Sequence, residues 1–81
     1  MKVKKTTFMV DGVYEPCIEV TDGCTIVRIS KCYHLIGNDT LFMREIIDGD
    51  FNNEEEWKGD FDSITEADAI RMAKEFSAYI R

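Results

Sequence analysis

Apolar and polar residues alternate along the first half of the chain, the pattern of strands that bury one face. Two Asp-Gly dipeptides, Asp11-Gly12 and Asp22-Gly23, interrupt that alternation between β-prone residues. Asp-Gly favours a type I′ turn, whose two central residues need positive φ, and so marks a hairpin. Turns there predict strands over 3–10, 13–20 and 24–33, and a turn around Gly37-Asn38-Asp39 leads into a fourth over 40–47. The turns also predict pairing: Val10 opposite Val13, Lys4 opposite Glu19, Ile18 opposite Val27 and Val20 opposite Thr25.

Alternation then sorts the side chains. One face collects Val3, Met9, Tyr14, Ile18, Val20, Val27, Ile29, Tyr33, Phe42 and Ile46, and is expected to carry the core. The other collects Phe8, Val10, Val13, Cys17, Ile26, Cys32 and Leu41 among Lys4, Glu15, Glu19, Arg28, Ser30 and Glu45. That mixture points to solvent or a partner. Pro16 fits a central strand badly because it has no N–H to donate, so it predicts either a bulge or a strand order other than a plain meander.

Beyond Ile47 the alternation gives way to an acidic stretch over 48–62, read as a loop with Phe51, Trp57 and Phe61 as aromatic anchors. Ser63-x-x-Glu66 and Thr65-x-x-Asp68 both match a capping box, so a helix starts near Thr65. Ala69, Ile70, Ala73, Phe76 and Ile80 form an apolar stripe at helical spacing, which predicts a helix over 65–80. The expected fold is one α+β domain over 1–81: a four-stranded antiparallel β-meander with one C-terminal amphipathic helix packed on one face.

Charge changes this picture most. The 81 residues carry a net charge of −6. Nine acids and one base lie between Asp48 and Asp68, a local charge of −8, and the remainder of the chain carries +2. Apolar runs are too short for a membrane-spanning helix. The basic start lacks the apolar stretch of a signal peptide. Three cysteines are an odd number for a disulfide framework, so reduced thiols in a cytoplasm are expected.

Candidate chemistry is thin. Cys17, Cys24, Cys32 and His34 contain the ligand types for zinc, but Cys24 and Cys32 sit at opposite ends of one strand, about 26 Å apart. Cys32 and His34 face the same way without an element to orient the imidazole or form an oxyanion hole. Asp48-x-Asp50-x-Asn52 starts like a calcium loop, yet Asn53 stands where glycine is needed and Gly59 where a bidentate glutamate is needed. The acids before the helix oppose phosphate binding. Lys2, Lys4 and Lys5 alone do not make a nucleic-acid surface. No catalytic residue, metal or cofactor is therefore assigned.

The remaining candidate is a partner-binding surface formed by Asp48, Asp50, Phe51, Glu54, Glu55, Glu56, Trp57, Asp60 and Asp62. Concentrated negative charge speeds encounter with a basic partner, and aromatics anchor interfaces. The expected function is a non-enzymatic protein-binding module or inhibitor that docks on a basic surface, in its sharpest form as a nucleic-acid mimic. The competing reading is an accessory domain that forms a homodimer through its half-apolar outer sheet face.

Overall fold

A computed structural model describes residues 1–10, 12–31 and 39–80, apart from the side chains of Phe8 and Val10. Five strands form one antiparallel sheet in sequence order: β1 (Lys2–Val10), β2 (Val13–Thr21), β3 (Thr25–Lys31), β4 (Thr40–Ile47) and β5 (Asp50–Lys58). A 3-10 turn over Phe61–Ser63 leads to helix α1 (Glu66–Phe76), which lies across one face. The meander and its C-terminal helix are as expected, with one strand more. β5 occupies the segment read as an acidic loop.

The extra strand follows from a third Asp-Gly pair. Asp48 and Gly49 have φ of 51° and 85°, so both central residues of the β4–β5 turn are left-handed. Ile47 pairs with Asp50 directly across this two-residue connection. Glycine takes such a backbone freely, and aspartate tolerates it better than most residues.

The first Asp-Gly hairpin has the predicted register: Val10 opposes Val13 and Lys4 opposes Glu19. Asp11 itself lies outside the described residues. The second hairpin differs. Ile18 pairs with Ile29 and Val20 with Val27, two residues away from the expected partners. Asp22 is the cause. Its carboxylate accepts the N–H groups of Cys24 at 3.1 Å and Thr25 at 2.9 Å, which widens the turn to the four residues between the paired Thr21 and Ile26. An even shift leaves every side chain on its predicted face.

An odd shift does not, and β4 is one residue out of phase with the expectation. Leu41 and Met43 join the core, whereas Phe42 and Ile46 point to the opposite face. The Gly37-Asn38 part of the turn expected before β4 and Tyr33 lie outside the described residues. Pro16 requires no bulge. It pairs with Thr7 of β1, and the described β2–β3 pairing ends one residue later at Cys17 and Ser30. Its missing N–H therefore interrupts no described β2–β3 pair.

Between sheet and helix, Ile18, Val20, Val27, Ile29, Leu41 and Met43 meet Ile64, Ala69, Met72, Ala73, Phe76 and Ile80. Met9 and Tyr14 have the parity of this face but stay exposed. Thr65 caps α1 as predicted: its Oγ1 accepts the Asp68 N–H, and Asp68 accepts the Thr65 N–H, each at 3.1 Å. The helix stops at Phe76, short of the expected residue 80, because Ser77 takes extended backbone as the C-cap. Ile80 reaches the core from beyond the helix. Among the described residues no helix is long and apolar enough to cross a membrane.

Candidate functional site

Among the described residues β5 is an edge strand, with β4 on one side and no strand on the other. Its sequence, DFNNEEEWK, is carried there by pairing with β4 and by one irregularity. Glu45 pairs with Asn53 and Ile46 with Phe51, so Asn52 is an extra residue, a β-bulge. Bulges twist a strand and re-aim a side chain. Here the bulge brings Asn52 Nδ2 to 2.6 Å from Glu45 Oε1.

The pairing sorts the predicted binding residues between faces. Glu54, opposite Arg44, and Glu56, opposite Phe42, lie on the face away from the helix, as does Phe51. Glu55, opposite Met43, and Trp57, opposite Leu41, lie on the helix side. Glu54 accepts a hydrogen bond from Arg44 Nε at 3.1 Å, and Glu55 accepts one from Trp57 Nε1 at 3.3 Å. Asp60 caps the 3-10 turn by accepting the Asp62 N–H, and Asp62 lies 3.6 Å from Lys31 Nζ. Asp48 sits in the turn, while Asp50 opens the strand opposite Ile47. All these acids are exposed.

The aromatics divide. Trp57 packs edge-on against Phe76 with ring centroids 5.9 Å apart, and Phe61 lies against the core. These two pin the segment, as expected. Phe51 does not, with 61% of its surface exposed. Of the three, Phe51 is the one exposed to solvent.

A buried polar group that the alternation had placed on the other face is Glu45. It is 4% exposed on the helix side, where Ser77 Oγ donates to Oε2 and Asn52 Nδ2 donates to Oε1. A buried carboxylate needs such donors to offset its lost hydration. The network ties β4, the β5 bulge and the helix C-terminus together. The sequence signal is a polar Ser77 within the apolar stripe, directly after Phe76, but its partner becomes visible only once β4 is in phase.

The face away from the helix mixes apolar residues, Ile26, Phe42, Ile46 and Phe51 among them, with charged ones, as expected. Its centre carries Arg28 directly opposite Arg44, with Glu19 Oε2 3.7 Å from Arg28 Nε and Glu54 against Arg44. Arg44 also stacks over Phe42, 5.5 Å from the ring centroid. Glu15, Cys17 and Ser30 are buried in the same face. Burial and the neighbouring Glu19 push the Cys17 thiol up to about 12. A thiol held neutral in this way is a poor nucleophile or metal ligand. Cys24 is exposed in the second turn, and Cys32 and His34 lie outside the described residues. Among the described residues no three His, Cys, Asp or Glu side chains gather as a metal site.

A surface recess of about 300 Å³ between the end of β5 and α1 is lined by Leu41, Trp57 and Arg71 among others. Arg71 is already paired with Asp68 at 3.3 Å and Glu75 at 3.7 Å, so its charge is spent within the helix. β5, like β1, is an outer strand of the sheet. Comparison with known protein families, curated proteins and solved structures finds no match to this chain.

Proposed function

We propose that this chain is a non-enzymatic binding module whose acidic edge strand, β5, docks on a basic surface of a macromolecular partner. The observation that carries the reading is the coincidence of charge and an open edge. Asp50, Glu54, Glu55 and Glu56 are exposed along a strand that, among the described residues, has a neighbour on one side only. Such an edge offers backbone donors and acceptors for affinity and side chains for specificity. Exposed Phe51 supplies an aromatic anchor beside the acids.

Successive acids on a strand are spaced about 3.4 Å apart along its axis. One nucleic-acid strand carries one charge per about 3.4 Å. In the Glu54–Glu56 run the acids alternate between faces, so same-face charges lie about two such spacings apart, and a nucleic-acid mimic is the sharpest form of the proposal. Unbridged Cys17 and Cys24 suit a reducing cytoplasm. The alternative, pairing through the outer sheet face, has less support, because the centre of that face is an Arg–Glu cluster.

A pull-down from lysate at low and high salt tests the reading. The wild type is compared with a variant carrying Glu54→Gln, Glu55→Gln, Glu56→Gln and Asp60→Asn. A partner lost in the variant and at high salt is the expected result. A partner retained under both conditions rejects docking through β5.

A further inference from the structure

We infer that the basic surface fitted by β5 includes the β1 edge of a second copy of this chain, so that copies join head to tail into one continuous sheet. This inference rests on the reading of β5 as a docking edge. β1 and β5 are the two edges of the sheet. Among the described residues, no backbone hydrogen bond outside the strand ladders involves either of them. Their charges are opposite. β1 carries Lys2, Lys4 and Lys5 and no acid, while β5 carries Asp50, Glu54, Glu55 and Glu56 against Lys58.

Edge charges ordinarily guard a sheet against aggregation. Like charges on one edge do so by blocking that edge from pairing with itself. A β5–β5 dimer would set glutamates against glutamates, and a β1–β1 dimer lysines against lysines, both unfavourable as cross-strand neighbours. Opposite signs on the two edges leave the β1–β5 contact as the favoured one.

The geometry is consistent with it. Every neighbouring pair in the meander is antiparallel, so β1 and β5 point the same way, and a following copy in the same orientation presents β1 parallel to β5. Lys4 and Glu54 share the face away from the helix, while Lys5 and Glu55 share the helix face. A register that sets Lys4 beside Glu54 therefore also sets Lys5 beside Glu55, with both helices on one side of the joined sheet. Such a contact is heterologous and produces a ring where the rotation closes and a filament where it does not.

The test is sedimentation of the purified full chain over a range of concentrations, at about 0.05 M and about 0.5 M NaCl. Two charge reversals accompany it: Lys2→Glu with Lys4→Glu and Lys5→Glu, and Glu54→Lys with Glu55→Lys and Glu56→Lys. Circular dichroism checks that each remains folded. The wild type is expected to assemble at low salt into species larger than a dimer and to weaken about tenfold or more at high salt. Each reversal alone should abolish assembly, and mixing the two should restore it, because one then has two acidic edges and the other two basic ones. Should a reversal unfold the protein, the salt series on the wild type still decides.

A wild type that stays monomeric at low salt overturns the inference, as does assembly indifferent to salt and to both reversals. A monomeric wild type that captures a lysate partner, lost only with the β5 reversal, rejects self-assembly and leaves acidic docking standing.

Discussion

Replacing Ser77 by alanine removes one of two hydrogen-bond donors to the buried carboxylate of Glu45. A hydrogen bond to a charged group contributes about 1.5–3 kcal/mol net, and leaving a buried acceptor unsatisfied falls at the upper end. Ser77→Ala also deprives the Tyr79 N–H of its acceptor at 3.2 Å, though that group is only partly buried. The expected loss is about 2–3 kcal/mol. At roughly 4–8 °C per kcal/mol for a domain of this size, the Tm should fall by on the order of 10 °C. Urea unfolding followed by circular dichroism measures the loss, provided the m-value is unchanged.

A double-mutant cycle separates this network from a general defect at the helix end. With Glu45→Leu in place there is no carboxylate to satisfy, and the same Ser77→Ala change should cost less than about 1 kcal/mol. Coupling of at least about 1 kcal/mol is therefore expected between the two sites. Additive losses would refute the placement of Glu45 under the helix, and with it the phase of β4.

Gly49→Val puts a β-branched side chain at a φ of 85° and should destabilise by about 1–2 kcal/mol in urea unfolding; a neutral result would mean β4 and β5 are not joined by this left-handed turn. In a Cys32→Ser background, a thiol reagent at neutral pH should label exposed Cys24 quickly and Cys17 only on unfolding, because burial keeps the Cys17 thiol protonated up to about 12. The sign for stability follows: the unfolded thiol ionises at lower pH than the folded one, so stability present below about pH 9 is lost as pH rises toward 12. Asp22 and Asp68 behave in the opposite sense. Backbone N–H groups, of Thr25 then Cys24 for Asp22 and of Thr65 for Asp68, lower both carboxyls. Their contribution is present above the ordinary carboxylate range and lost as pH falls through the lowered values, and a thermal melt series from pH 5 to about pH 2 should show a smaller acid loss for Asp22→Asn with Asp68→Asn.

Much of this fold is local chemistry and was legible as such. The Asp-Gly pairs, period-two alternation through β1 to β3 and the Thr65–Asp68 box each act within a few residues, so they specify strands, turns and the helix start wherever the chain goes. The third pair, Asp48-Gly49, carried the same signal, but the acids after it disguised β5 as a loop. Strands are expected to be apolar on one side, and an edge strand can be nearly all polar because its backbone pairs with β4 while Trp57 alone packs on Phe76. Tertiary structure decided what depends on parity and on distant partners. Asp22 widened a turn by two residues without moving a face, whereas a change of one before β4 exchanged Phe42 and Ile46 for Leu41 and Met43 in the core. That same change carried Glu45 under the helix to Ser77, 32 residues away. Composition determined that one segment is strongly acidic; only the sheet's order set it on an open edge, with the lysines on the other, because edge position is a property of neighbours and not of residues.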